Sequence, residues 1–531
     1  MKAKSNSLLF ASGMLLSFSV GAQVLPANQE NSPWFTDGEA QVTAKQQVDP
    51  GDSARNVILF VGDGMGITTL TASRIYEGQS NGQPGEEGLL SFESFPSTAL
   101  VKVYNVNAQT PDSAGTMTAM MSGVKTDVGT IGTDEDVVRG DCTTVAGNEV
   151  FTYLELAEVA GMSTGVVSSA RITHATPAAT YAKSADRNWE DVSDMPQEAI
   201  DAGCEDIASQ LINFETNLEA RYQGLNIDGI EVAMGGGRRH FLPNDPLFNS
   251  PDARSSTEGD RTDGRDLTEE WLAMYPDGEY VFDQAGFDAI NPATTGRVLG
   301  LFNESHVLYE ADRGNDIAGE PSLSEQTAKA IDILDNNPNG FFLMVESGRI
   351  DHGHHAGSAF NAVTDTIEFA AAVQAAVDAT NPDETLILVT ADHSHVFTIA
   401  GYPKRGNPIL GKVVSVGQTD PALAADGKPY TTVGYNNGRG YRDLGTETNA
   451  DATYDFDAVA GRDGQDLGGI DTTATGFHQE TLVPLSSETH SGEDITLHAT
   501  GPGSQFVMGE IEQNVVFHIM NRARRLIDDQ G

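Results

Sequence analysis

Basic residues are scarce in this chain of 531 residues: Lys and Arg number 31 against 77 Asp and Glu, a formal net charge of −46. A field of that sign repels a phosphate backbone and an anionic lipid surface, which excludes a nucleic-acid-binding surface. Cysteine is almost absent. Cys142 and Cys204 are the only two, too few for a zinc finger. Long apolar runs are missing as well, since no stretch beyond the N-terminus reaches the ~18 residues of a membrane span. Apolar residues nevertheless make up 39% of the chain, enough to bury a sizeable core and to exclude global disorder. Length allows roughly three domains at ~150 residues each or one large α/β domain with insertions.

The first 22 residues read as a secretory signal. Lys2 and Lys4 precede the short apolar stretch LLFASGMLLSFSV, and Val20-Gly21-Ala22 is a small-residue cleavage site. No Cys follows that stretch, so a lipid has no attachment point and no membrane anchor is expected. The mature protein is expected to be exported, periplasmic or secreted. In an oxidising compartment the two thiols, 62 residues apart, are expected to form a Cys142–Cys204 disulfide.

Residues 23–50 are polar with weak periodicity and read as an N-terminal arm or linker. From residue 51 to 531 the pattern is one catalytic domain. Val57–Val61, Gly165–Val167, Phe341–Val345 and Leu386–Thr390 are apolar runs of the kind that form buried parallel strands. Helical segments alternate with them. Ser322 and Glu325 are spaced as a capping box ahead of Thr327–Leu334, and Asn336-Asn337-Pro338 stops that helix. The fold class is therefore α/β, with a large, mostly parallel central sheet flanked by helices on both faces. Ligand sites in such sheets lie beyond the carboxyl ends of the strands. Gly-, Asp- and Pro-rich stretches at about 245–290 and 401–488 read as insertions on that sheet.

The residues able to carry chemistry sit at those strand ends. Glu346-Ser-Gly-Arg-Ile-Asp351-His352-Gly-His354-His355 follows one strand and Asp392-His393-Ser394-His395 another, while His490 lies in Glu488-Thr489-His490. Five of the 12 histidines fall within 44 residues, a density that points to a metal centre with mixed carboxylate and imidazole ligands, a set that suits zinc. Ser113 follows Asp112 at the start of a small-residue segment, the place where a helix N-terminus favours an anion. A nearby metal would lower the hydroxyl pKa and make Ser113 a nucleophile. Arg187, with His174 and Thr176 upstream, can grip a phosphoryl group as a fork.

Together these segments resemble the metal-dependent alkaline phosphatases, from about Asn56 to Met520. The resemblance rests on NVILFVGDGMG, TPDSAGTMTAMMSGVKT, THATPAATYAKSADRNW, FFLMVESGRIDHGHH, VTADHSHVF and ETHSGED. It is closer to the animal-type and related marine bacterial branch than to the short enteric type. It implies hydrolysis of small phosphate monoesters through a phosphoserine on Ser113, with phosphate as product and inhibitor. It implies two Zn²⁺ and one Mg²⁺ per subunit. One zinc would take Asp351, His355 and His490, the second Asp63, Asp392 and His393, and magnesium Asp63, Thr176 and Glu346. Arg187 would clamp the phosphate, and Asp112, His174 and His352 would stand behind these groups. The family disulfide falls on Cys142 and Cys204. Relatives with an extra calcium place a carboxylate after a Leu-Phe pair; Asn303 follows Leu301-Phe302 here, which makes an additional Ca²⁺ doubtful. The 401–488 insertion matches in place the crown of relatives, through which a homodimer is expected. A sulfatase is disfavoured because Ser113-Ala-Gly-Thr-Met117 lacks the Pro and Arg of that signature.

The four carboxylates in these metal sites account for almost none of the acidity. The excess belongs to the surface and is expected to reflect a salty environment and a salt-tolerant Gram-negative source, where counterions screen self-repulsion. Activity and melting temperature should both rise from low to molar NaCl; values that stay flat would contradict the expectation.

Overall fold

The unbroken run Val57–Val61 lies fully buried in β1 (Asn56–Gly62), inside a sheet of ten strands. The computed structural model describes residues 25–44, 53–222, 224–452, 458 and 466–527; the expected signal segment 1–22 lies outside them. The other strands of the sheet are β2 (Ser97–Lys102), β3 (Ser163–Arg171), β4 (Val232–Gly236), β5 (Glu279–Val281) and β6 (Val298–Leu301). They are joined by β7 (Phe341–Ser347), β8 (Thr385–Ala391), β9 (Ile495–Thr500) and β10 (Gly509–Glu512). Their order is β10-β2-β9-β8-β1-β7-β3-β4-β6-β5. Nine strands share one direction, and β9 alone runs against both its neighbours, β8 and β2.

Successive side chains of a strand point to opposite faces. Every residue of β1, β7 and β8 is buried, so both faces of the central strands are covered, as in other parallel sheets. Helices Leu323–Leu334 and Ala359–Ala379 pack on one another and on the sheet, as do Tyr153–Val159 and Val515–Arg524. Register then fixes the site. Val61 pairs with Glu346, Ser168 pairs with Glu346 from the other side, and Gly62 pairs with both Ser347 and Ala391. The residues that end β1, β7, β3 and β8 therefore converge at one edge.

Three stretches carry more structure than their composition announces. Residues 25–44 form the helices Ala27–Glu30 and Pro33–Ala44, which dock on the body. Gln29 is fully buried, giving hydrogen bonds to the carbonyls of Ser122 and Phe151 and accepting one from the Phe151 amide. Phe35 packs 4.7 Å from the His518 ring, and Gly38 allows that approach, since a Cβ there would meet the same ring at 2.7 Å. Single anchors rather than a periodic stripe hold this segment, which is why periodicity reads it as a linker. Within 245–290, β5 closes the edge of the main sheet beside β6. Within 401–488, Val433–Gly438 and Thr481–Pro484 form a small sheet with Phe397–Ile399, and Arg442–Asp443 pairs with Phe477–His478.

Cys142 and Cys204 are joined in a disulfide beside Trp189, Val137 and Met195. Among the described residues no helix is long and apolar enough to cross a membrane. The capping box is present: the Glu325 amide donates to Ser322 Oγ at 3.2 Å and the Ser322 amide to Glu325 Oε2 at 2.8 Å. Ser322→Ala should lower unfolding stability by about 1 kcal/mol, with Ser322→Asp recovering most of it; a denaturant titration that moves for neither variant would remove the cap from the account.

Candidate metal centre

Three groups of donors meet at the carboxyl edge of the sheet, most of them on strands or just after strand ends. Asp351 and His355 lie one turn apart on the helix Arg349–His355 that follows β7, with His395 just after β8 and His490 in a short strand paired with Ser394-His395. Around Asp351 Oδ1 the nitrogens of His395, His355 and His490 lie at 2.7, 3.3 and 3.4 Å, and the Nε2 atoms of His355 and His490 are 3.1 Å apart. Hydrogen bonds on the far side of each ring decide which nitrogens can hold a cation. His355 Nδ1 donates to the Glu488 carbonyl at 2.7 Å and His490 Nδ1 to the Pro111 carbonyl at 2.8 Å, which leaves both Nε2 lone pairs free. Burial also depresses His355 to about 4, so its ring is neutral.

His395 differs. Its two nitrogens face two carboxylates, Glu488 Oε2 at 2.6 Å and Asp351 Oδ1 at 2.7 Å. Burial alone would depress it, but Glu488 and Asp351 raise it to about 10. A charged imidazole has no lone pair to offer, so His395 orients Asp351 instead of joining the ligand set. Space for its ring comes from Gly64, whose φ is +70° and whose Cβ would meet the ring at 2.4 Å.

The second group is Asp63, Asp392 and His393, all fully buried. His393 Nε2 stands 3.4 Å from Asp63 Oδ1, 3.2 Å from Asp392 Oδ2 and 3.2 Å from Ser113 Oγ. The amides of Gly64 and His393 hold the other oxygen of Asp392 at 2.9 and 2.8 Å. The third group shares Asp63 and adds Glu346 and His174. Thr176 Oγ1 stands beside Glu346, and Ser168 donates to Glu346 Oε2.

The second and third groups share a deficit. Both oxygens of Asp63, Asp392 Oδ2, Glu346 Oε1, Thr176 Oγ1 and His174 Nδ1 are buried without a hydrogen-bond partner. A buried polar atom left unpaired costs about 1–3 kcal/mol, more when charged. Burial and mutual repulsion raise Asp63 well above the carboxylate range, burial lifts Asp392, and burial pushes Glu346 up to about 8. Oxygen and nitrogen donors in excess of protons fit resident divalent cations.

Ser113 begins the helix Ser113–Ser122, with Asp112 as its cap. Asp112 Oδ1 accepts from the Gly115 amide at 3.1 Å and from Asn105 at 2.9 Å, while Oδ2 accepts from Arg187 Nη1 at 3.1 Å. Burial would raise the Asp112 carboxyl, yet Arg187 and the Gly115 amide hold it below its ordinary value. Arg187 Nη2 lies 3.4 Å from His174 Nε2. His352 is not part of the donor groups; its ring lies 5.5 Å from that of His174.

Sequence reasoning placed the donors of these groups except His395 and His174, the second of which it set behind the magnesium ligands Asp63, Thr176 and Glu346, and it missed Glu488, Ser168 and Asn105. His395 alternates with His393, as side chains on one face do, and Glu488 stands two before His490. Nothing in the sequence distinguishes Ser168 or Asn105 from other polar residues. A fourth group, Asp191, His240 and Asp260, lies outside the centre. There His240 faces Asp191 at 2.5 Å and Glu190 at 3.4 Å, one carboxylate to each nitrogen.

The sequence model of the alkaline phosphatase family matches residues 54–526. The chain is 40% identical over 513 residues to the tissue-nonspecific isozyme of alkaline phosphatase from Gallus gallus, covering 95% of this chain and 92% of that one. It is 41% identical over 498 residues to an alkaline phosphatase from Gadus morhua, covering 93% and 97%. The crystal structure of Thermus thermophilus alkaline phosphatase superposes with a TM-score of 0.62 at 23% identity, over 90% of this chain and 92% of that one.

Burial that raises Asp63, Asp392 and Glu346 favours their protonated forms, Glu346 above all, and cation binding must displace such protons. Adding zinc and magnesium to the chelated protein at pH 7 should therefore release protons, and affinity should rise with pH up to about 8, where Glu346 titrates. Calorimetry in buffers of different ionisation enthalpy measures this, and uptake without proton release would contradict it.

Proposed function

The chain belongs to the alkaline phosphatase family, whose members are metal-dependent phosphatases, and from that premise we propose that it hydrolyses phosphate monoesters through a phosphoserine on Ser113, at a centre of two zinc ions and one magnesium ion. The observation that carries this reading is the position of Ser113 Oγ, at a helix N-terminus and 3.2 Å from His393 Nε2. Asp351, His355 and His490 would hold one zinc ion, Asp63, Asp392 and His393 the other, and Asp63, Glu346 and Thr176 the magnesium ion. When bound, the cations neutralise the phosphate dianion and the oxygens that attack and leave.

The chain's own residues do the rest. Asp112 holds the Arg187 fork across the start of the Ser113 helix, where it can take two phosphoryl oxygens side by side. Ser113, 2% exposed as a residue and with Oγ facing the second donor group, loses its hydroxyl proton to solvent. The Oγ–P bond forms as the ester P–O bond breaks on the opposite side, where the departing alkoxide takes up a proton. His355 and His490 would hold a cation on the side where the alcohol leaves. Water entering there attacks the phosphoserine, breaking the Oγ–P bond, returning a proton to Ser113 and releasing inorganic phosphate. Two in-line displacements give net retention at phosphorus.

The disulfide supports export, to the periplasm or beyond, with residues 1–22 as the signal. Leu482 and Val483, 68% and 44% exposed on the edge strand of the small sheet, support a homodimer formed through the 401–488 insertion.

The reading is tested on a simple aryl phosphate. Ser113→Ala should cut kcat by roughly 10³-fold or more, as loss of a nucleophile does elsewhere. Arg187→Ala should raise KM and weaken phosphate inhibition by roughly 10–100-fold. Undiminished turnover in Ser113→Ala would end the nucleophile assignment, and a preference for diesters would move the substrate class.

A further inference from the structure

Arg349 opens the helix that carries Asp351 and His355, and its side chain is buried. Three contacts fix the guanidinium. Nη2 donates to Asp451 Oδ2 at 3.0 Å, the group lies 3.6 Å over the ring of Tyr309, and Nη1 lies 3.0 Å from Nδ1 of His352. The Tyr309 hydroxyl donates to the other oxygen of Asp451 at 3.1 Å, so Asp451 ties both partners together. Asp451 belongs to the 401–488 insertion. Its neighbours are anchored too: Asn361 donates to the Thr448 carbonyl at 2.7 Å, and Ala450 packs against Tyr309 and Ala356.

The chemistry of the Arg349–His352 contact is one-sided. A guanidinium has donors only, so His352 Nδ1 must accept. That excludes the doubly protonated ring and the Nδ1–H tautomer together, and it leaves the proton on Nε2. Among the described residues Nε2 has no protein partner. His352 lines a cavity of about 480 Å³ with His355, Arg349, Asp451, Ser486 and Ser487, beside the donor group of Asp351, His355 and His490. The neighbouring His306, 4.1 Å away ring to ring, is engaged by Arg171 instead.

We propose that Asp451, acting through Arg349, fixes His352 as an Nε2–H donor aimed at substrate oxygens in this cavity. Arg349 and Asp451 are positioning residues, and His352 is the group that touches the substrate. The insertion thereby sets a proton at the site as well as covering it. That the oxygens belong to a phosphate ester rests on the function proposed above; the tautomer does not.

The test uses the metal-loaded full chain, labelled with ¹⁵N-histidine. The His352 ring signals, assigned by their disappearance in His352→Gln, should report the Nε2–H tautomer in the wild type and a mixture of tautomers in Arg349→Met. Asp451 has a half-exposed side chain and tests the same link without a buried substitution. Asp451→Ala should raise KM for an aryl phosphate and the inhibition constant of inorganic phosphate together, about tenfold. It should leave kcat and zinc content near those of the wild type, and Asp451→Asn should recover most of the loss. A wild-type ring carrying its proton on Nδ1 would overturn the proposal. So would an unchanged tautomer in Arg349→Met, or a kinetic loss that follows zinc content alone. Absence of phosphatase activity in the wild type would instead sink the functional reading and leave the tautomer result standing.

Discussion

Asp63, Glu346 and Asp392 are brought to neighbouring strand ends, buried, and left with oxygens that have no hydrogen-bond partner. Like charges at 4 Å repel by about 4 kcal/mol at the effective dielectric of a protein. That exceeds the ~1 kcal/mol of a helix cap or the 0–1 kcal/mol of a surface ion pair. Among the described residues the charged His395 balances Asp351, and the remaining carboxylates call for protons or cations. Much of the architecture follows from holding these groups in place until a cation arrives: the parallel register sets Glu346 against Val61 and Ser168, and Gly64 makes room for His395.

The surrounding contacts sort the imidazoles into two kinds. His355 and His490 spend their Nδ1 protons on backbone carbonyls and keep Nε2 open, whereas His395 faces a carboxylate with each nitrogen and is charged. Identical side chains a few ångströms apart thus take opposite roles, decided by what lies behind each ring. The same logic extends to His352 through Arg349, and from there to a residue of the insertion.

The central strands were legible in the sequence because a strand buried on both faces must be apolar throughout, as Val57–Val61 and Phe341–Val345 are. The donor residues were legible because a metal site concentrates His and Asp at strand ends, and the family resemblance sorted them into sets. What stayed hidden depends on contacts between distant segments. Gln29 and Phe35 dock the N-terminal helices by isolated contacts, β5 adds an edge strand from an Asp- and Gly-rich stretch, and Glu488 decides the charge of His395 across 93 residues. None of these leaves a periodic or compositional mark.

The central claim is that cations balance the carboxyl edge of the sheet. Elemental analysis of the purified protein, followed by melting with and without a chelator, tests it most directly. The account predicts two zinc ions and one magnesium ion per chain and a large fall in melting temperature when they are stripped. A protein that is folded and active without stoichiometric metal, and whose melting temperature ignores the chelator, would contradict it.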